Sequence, residues 1–138
     1  ELQKLIIWSE ANFWCRPEQH GNLTGIMKTM IDHVLLSLGS VRRTQGKTLD
    51  VAQVNGGSQS FNAVNALRIL GRWMRMLTIP NQASLPKAWT QFDELGRMLP
   101  SSNQDRVVDV CEELVKVSCL FYGKEERSAD RWSERREK

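Results

Sequence analysis

The stretch from Thr48 to Met76 limits what this chain can fold into more than any other. Thr48-Leu49-Asp50-Val51-Ala52-Gln53-Val54 reads as a buried strand, and Gly56-Gly57 stops it. Phe61, Val64, Leu67, Leu70, Gly71 and Met74 then recur at helical spacing across 60–76. Gly-Gly therefore occupies a strand-to-helix turn, the junction from which parallel sheets are built. The same alternation continues on both sides. Leu2, Leu5, Ile6 and Ser9 suggest a helix over 2–10, and Asn12-Phe13-Trp14-Cys15 is a short apolar strand. That strand is expected to end at Cys15 or Arg16, because Pro17 withholds a ladder donor. A helix over 25–38 carries Ile26, Met27, Met30, Ile31, Val34, Leu35 and Leu38 on one stripe, behind Asn22 and Thr24 as caps. The polar, basic stretch 39–46 connects it to the central strand.

Met76-Leu77-Thr78-Ile79, stopped by Pro80, reads as a third strand, and 81–102 as a long connection broken by Pro86, Gly96 and Pro100. A last helix runs from Asn103 or Asp105 to Phe121, with Val107, Val108, Cys111, Leu114, Val115, Ser118 and Cys119 inward and Gly123 ending it. This order specifies an α/β protein whose parallel sheet is flanked by helices and joined by right-handed crossovers. Three strands are fewer than the five or so of a doubly wound domain, so the others are expected before Glu1.

Composition narrows the class. The 138 residues suit one domain, and 41% apolar with 25% charged residues excludes fibrous and wholly disordered chains. A net charge of +3, with basic and acidic residues mixed, gives no nucleic-acid-binding face. No apolar run approaches the roughly 20 residues that span a bilayer, and Glu1-Leu2-Gln3-Lys4 lacks the order of a signal peptide, so a cytoplasmic chain without a membrane partner is expected. Cys15, Cys111 and Cys119 form no CxxC, which favours reduced thiols and no metal site. The sequence divides into a domain over 1–122 and a tail over 123–138. Eleven of the sixteen tail residues are charged, so it reads as solvated, with Trp132 the one residue able to anchor it.

In open parallel sheets ligands bind beyond the carboxyl ends of the strands. Two segments lie there, Arg16-Pro17-Glu18-Gln19-His20-Gly21-Asn22 and Asn55-Gly56-Gly57-Ser58-Gln59-Ser60. Glycine lets backbone amides approach a flat or anionic ligand, and the helix start that follows adds partial positive charge. Taken alone, Gly-Gly reads first as a plain tight strand-to-helix turn. The chain offers no HExxH, no Gly-x-Ser-x-Gly elbow and no Walker lysine, which disfavours hydrolase and triphosphatase chemistry. His20 keeps a functional reading, whereas His33 falls within a helix as a packing or surface residue. Arg68, Arg72 and Arg75 form a stripe that is solvated or subunit-facing, with an anionic cofactor as the alternative. Cys111, Cys119, Trp73, Met74 and Met76 read as core.

Trp14-Cys15-Arg16-Pro17-Glu18-Gln19-His20-Gly21-Asn22-Leu23-Thr24 resembles the flavin loop of the ArsH family of arsenical-resistance flavoproteins, within the NADPH-dependent FMN reductases. The resemblance extends through Gly39-Ser40-Val41-Arg42, Thr44-Gln45-Gly46-Lys47-Thr48-Leu49, the run from Gly56 to Asn65, Leu70-Gly71-Arg72-Trp73-Met74-Arg75-Met76, Thr78-Ile79-Pro80-Asn81-Gln82 and Ser133-Glu134-Arg135. It implies a flavodoxin-like fold, bound FMN, reduction by NADPH and a homotetramer. It also implies small-molecule electron acceptors: quinones, azo dyes, ferric iron, oxygen, or trivalent methylated arsenicals that become oxidised. By the same resemblance Arg16, Pro17, Glu18, Gln19, His20 and Gly21, with Asn55, Gly56, Gly57 and Ser58, would line the flavin ring, and no side chain acts as catalytic acid or base. Asn55 stands where the family usually has Ser, Arg43 where it has Pro and His33 where it has Trp. Cys15-Arg16 replaces a small pair ending in Ser.

On the strand order 2-1-3-4-5 the chain supplies strands three, four and five, and the family's phosphate loop is expected before Glu1. The edge of the first strand, with Phe13 and Trp14, is then expected to lack cover. The alternative to an FMN oxidoreductase is a non-catalytic α/β fragment or assembly module without flavin.

Overall fold

The central strand is buried on both faces, and the other elements are arranged around it. In the computed structural model, which describes residues 1–34, 42–124 and 131–136, the chain runs α1 (Leu2–Trp8), β1 (Ala11–Gln19), β2 (Asn22–Leu23), α2 (Gly25–Asp32) and β3 (Thr48–Val54). It continues through α3 (Asn62–Trp73), β4 (Leu77–Thr78), β5 (Ala83–Leu85), a 3-10 turn (Ala88–Thr90), α4 (Ser102–Phe121) and α5 (Trp132–Arg136). All of β3 but Val54 is buried, as expected of a strand between two helical layers. Leu49 and Val51 pack with Trp14, Val64 and Leu67 on the α3 side. Ala52 packs with Ala83 and Val110 on the α4 side.

β1 runs parallel to β3 from Ala11 opposite Thr48 to Pro17 opposite Val54. The other edge of β3 pairs in parallel with β4 near its start and with β5 near its end. One line of chain is thus interrupted at Pro80, where a ladder donor is missing. Arg68 fastens the interruption: Nη1 donates to the Ile79 carbonyl at 2.9 Å, Nη2 to the Pro80 and Asn81 carbonyls at 2.7 and 2.8 Å, and Nε to Gln82 Oε1 at 2.6 Å. Arg68 is therefore a structural clamp and leaves the exposed arginine stripe expected from spacing.

Several expectations are corrected. β1 does not stop at Cys15 or Arg16 but continues through Pro17 to Gln19. The Glu10 carbonyl accepts from the Thr48 amide, so alternate residues from Glu10 aim at β3 and Pro17 aims its missing donor at the opposite edge, where it costs nothing. Gln19 then turns into β2 as an antiparallel hairpin, with Glu18 opposite Leu23, so the sheet is mixed rather than wholly parallel. Its two turn residues, His20 and Gly21, have φ of 51° and 70°, the mirror-image turn whose twist matches paired strands. Within the long connection lies β5, whose three residues are too few to show a period.

Trp14 is covered, at 6% exposed, because it shares the α3 face with Val51, whereas Phe13 on the other face is 39% exposed. The helix 25–38 ends at Asp32, and Leu35 and Leu38 lie outside the described residues. Ser101 Oγ accepts from the Gln104 amide at 3.2 Å and caps α4. The inner face of α4 is Val107, Val110, Leu114 and Ser118, not the broad stripe expected; Val108 and Val115 are exposed. All three cysteines are free and exposed, which overturns the core reading of Cys111 and Cys119, and Trp73 is exposed too. α4 rests on the small residues Ala52 and Ala83, and a helix seated on so narrow a strip buries one line of side chains.

Gly71 marks the closest approach of α3 to the sheet. A Cβ there would stand 2.5 Å from Leu49 Cδ2 and 2.8 Å from Thr78 Oγ1. Alanine would gain about 1 kcal/mol of helix propensity. Overpacking against buried Leu49 and half-buried Thr78 outweighs that gain, so Gly71→Ala should lower stability by about 1–3 kcal/mol in urea unfolding.

Candidate functional site

Because Pro17 lies opposite Val54, the β1–β2 hairpin and the loop 55–60 rise side by side from the carboxyl ends of neighbouring strands. The side chain that ties them together is Gln53, which is fully buried in β3. Its Nε2 donates to Glu18 Oε2 at 2.7 Å and to the Ser60 carbonyl at 2.8 Å, and its Oε1 accepts from the Val64 amide at 2.9 Å. One amide group thus joins the hairpin, the end of the glycine loop and the first turn of α3. Glu18 Oε2 also accepts from the Ala63 amide at 3.3 Å. Desolvation opposes charge on Glu18, but hydrogen bonds from Ser60, Gln53 and the Ala63 and Asn62 amides prevail and hold its carboxyl below the ordinary value.

These contacts alter one expectation. The start of α3 does not offer free donors to a ligand, because the Ala63 and Val64 amides are spent on Glu18 and Gln53. What remains open is the glycine loop. A Cβ at Gly56 or Gly57 would meet nothing within 4 Å, so this stretch of backbone borders open space. From the other side the loop is pinned: Asn55 N donates to the Leu85 carbonyl at 3.0 Å, Ala88 N to the Asn55 carbonyl at 2.9 Å and Lys87 N to the Gly57 carbonyl at 3.0 Å. Asn55 Nδ2 donates to the Ser58 carbonyl at 3.2 Å, and Ser84 Oγ donates to the Ser60 carbonyl.

Two buried polar atoms stand without a partner at these strand ends. Arg16 spends Nε and Nη2 on the Pro17 carbonyl and leaves Nη1 unsatisfied; Asn55 leaves Oδ1 unsatisfied. Burial pushes the Arg16 guanidinium below its ordinary value, Glu18 opposes this, and the group stays charged. Unsatisfied buried groups are uncommon and carry a cost of about 1–3 kcal/mol each.

A third orphan, Asp50 Oδ2, lies deeper, on the α4 face of β3. Burial raises the Asp50 pKa to about 7, against the Val51 amide, Arg68 and Arg106, and with Glu113 adding to the rise.

The structure therefore brings Arg16, Glu18, Asn55, Gly56, Gly57 and Ser58 to one end of the sheet, with Pro17, Gln19, His20 and Gly21 exposed on the hairpin beside them. Sequence reading missed Gln53 and the turn at Lys87–Ala88. The signal for Gln53 was a long polar side chain between Ala52 and Val54, in a segment that reads as a buried strand. Among the described residues no group of three His, Cys, Asp or Glu is placed to hold a metal ion, and no helix is long and apolar enough to cross a membrane.

An α/β sheet with its open loops at the carboxyl strand ends is the architecture of nucleotide-cofactor domains. Residues 1–90 match the model of the NADPH-dependent FMN reductase family, and the chain belongs to that family. It is 59% identical over 137 residues to a protein of Acidithiobacillus ferrooxidans named NADPH-dependent FMN reductase ArsH, and 63% identical to one of the same name from Rhizobium meliloti. Each match covers 99% of this chain but 58% and 57% of the relative, so the chain spans little more than half the length of either. Among solved structures, an oxidoreductase of Corynebacterium diphtheriae matches 86% of this chain and 60% of its own at a TM-score of 0.67 and 19% identity, which shows a shared fold.

Two outcomes test this geometry. Gln53→Leu should cost about 2–3 kcal/mol in urea unfolding, since it strands Glu18 and the Val64 amide together. Asp50→Asn tests the buried carboxyl. With its folded pKa near 7 and its unfolded value near 3.8, Asp50 binds its proton more tightly in the fold, so its contribution to stability is full below about pH 4 and declines as pH rises through 7. The stability of Asp50→Asn relative to wild type should therefore rise between pH 4 and 8 by a few kcal/mol, as followed by denaturant midpoints.

Proposed function

We propose that this chain carries the flavin-ring side of an NADPH-dependent FMN oxidoreductase of ArsH type. The observation that carries the reading is the pairing of an open glycine backbone, Gly56-Gly57, with one unsatisfied donor on Arg16 and one unsatisfied acceptor on Asn55 at adjoining strand ends. A flat ring edged with alternating carbonyls and N–H groups is complementary to that set, so the residues fit FMN. When bound, FMN supplies hydride acceptance from NADPH and electron delivery to a small-molecule acceptor.

The protein's part is to hold and polarise. Gly56, Gly57 and Ser58 would present backbone to the ring with no side chain between, and Arg16 and Asn55 would satisfy their buried atoms on its polar edge. Glu18 works from behind the site: its hydrogen bonds with Gln53 and Ala63 fix the hairpin against α3, so that Gln19, His20 and Gly21 form a wall next to Pro17. No side chain here needs to move a proton. Organoarsenical oxidation, quinone, azo-dye, ferric or oxygen reduction and arsenical resistance belong to the same reading as what the resemblance implies, and the relatives' name supports NADPH-dependent FMN reduction of ArsH type. A cytoplasmic homotetramer also belongs to it, and the exposed Trp8, Trp89 and Leu95 supply apolar surface for subunit contact. The unit concerned is 1–122, with 123–138 as an appended tail.

Gly57→Val tests the reading. A Cβ at this site meets no atom within 4 Å and Gly57 needs no positive φ, so the thermal midpoint should hold while FMN affinity, read by quenching of flavin fluorescence, falls about tenfold or more. Unchanged FMN affinity in Gly57→Val would remove the glycine loop from the site. Wild-type chain that neither binds FMN nor oxidises NADPH in its presence would overturn the assignment and favour a non-catalytic module.

A further inference from the structure

At the opposite end of the sheet the arginine stripe separates into two roles. Arg68 is consumed by the carbonyls around Pro80, whereas Arg72 and Arg75 join Arg42 and Trp73 around a cavity of about 270 Å³. A second cavity of about 260 Å³ shares Arg42 and Trp73 with it and adds Arg43 over an apolar floor that includes Leu70 and Met74. Helix α3 leaves the glycine loop and descends to the amino ends of the strands, where the Arg75 carbonyl accepts from Gly46 N at 3.0 Å just before β3. This pair of cavities is therefore remote from the flavin loops.

A helix carboxyl terminus favours cations, which accounts for Arg72 in the last turn of α3. It does not account for Arg42, which arrives from a separate segment, or for an indole 65% exposed between the guanidinium groups. Among the described residues neither the Arg42 nor the Arg72 guanidinium makes a hydrogen bond or an ion pair. Asp32, among the described residues the one carboxylate lining either cavity, is held by Lys28 at 2.6 Å. Arg75 adds an independent observation. It sits at φ 58°, where the amides of Arg75 and Met76 close α3 onto the Arg72 and Gly71 carbonyls at 3.0 and 2.9 Å. That position ordinarily takes glycine or asparagine. Here an arginine bears the strain, and its Nη1 donates to Gln45 Oε1 at 2.8 Å, holding the guanidinium at the cavity wall.

We propose that these cavities form a second binding site, distinct from the flavin loops, for a nucleoside diphosphate or a ligand of that chemistry. Planar guanidinium forks on Arg42, Arg72 and Arg75 take the phosphate oxygens, and the exposed indole of Trp73 receives the base by stacking. Both halves of the chemistry are needed: phosphates alone would leave the indole in water, and a neutral aromatic alone would leave Arg42 and Arg72 without a counter-charge.

The test is calorimetric titration of the full chain at low salt with two probes, ADP and inorganic pyrophosphate. Both should saturate the wild type. Arg42→Gln with Arg72→Gln should weaken both by about tenfold or more, at an unchanged thermal midpoint. Trp73→Ala should weaken ADP about fivefold or more and leave pyrophosphate within about twofold. Gly57→Val should bind both probes as wild type does, which separates this site from the flavin loop. Absence of saturable binding, or full affinity in the double arginine variant, overturns the site. An equal effect of Trp73→Ala on the two probes overturns the nucleotide assignment.

Discussion

The three hydrogen bonds of Gln53 hold together the end of the molecule at which the carboxyl ends of the strands lie. A glutamine sealed inside the central strand must satisfy both a donor and an acceptor without water, and the partners within reach lie on three different pieces of chain. Satisfying Gln53 therefore fixes the hairpin, the exit of the glycine loop and the first turn of α3 relative to one another. Hydrogen bonding here specifies geometry more than it adds stability, because the net gain of each bond is small and the penalty for breaking one is large.

From that anchor follows a division of labour between the strand ends. At the carboxyl ends lie the open glycine backbone of the 55–60 loop and two buried polar atoms without a partner. At the amino ends, arginines gather around an indole. Helix α3 spans both, with its early amides used internally and its last turn presenting cationic side chains. On the other face of the sheet, α4 contributes mainly cover. It buries Val110 and Leu114 over small residues, and the Thr48–Ser118 hydroxyl contact at 2.6 Å aligns it with the start of β3.

Much of the fold was legible in the residues because the signals were local. Strand β3, helix α3 and the glycine turn between them follow from period and turn chemistry, and the 55–60 loop lies at the strand end where it was expected, whereas most of 16–22 is strand of a hairpin. Other features were not legible, for identifiable reasons. Pro17 argues against a strand only where its nitrogen faces a partner, and which way it faces depends on register. Strand β5 has three residues and declares itself only by pairing with β3. The apolar stripe of α4 was wider than the surface available to it, so the exposure of Cys111, Val108 and Val115 depended on the small size of Ala52 and Ala83.

What the amino-acid sequence determined by itself is the alternation of the helices with β1, β3 and β4, the parallel central pairing and the position of Gly56-Gly57 at a strand-to-helix turn, since each depends on neighbours a few residues apart. Only the tertiary structure decided which polar groups are spent and which remain to be used. Arg68 is consumed by carbonyls around a proline break while Arg72, four residues on, is left at a cavity, and the first-turn amides of α3 are taken while Arg16 Nη1 and Asn55 Oδ1 are not. Hydrogen-bond satisfaction is a property of atoms brought together from distant parts of a chain, and local sequence carries no record of it.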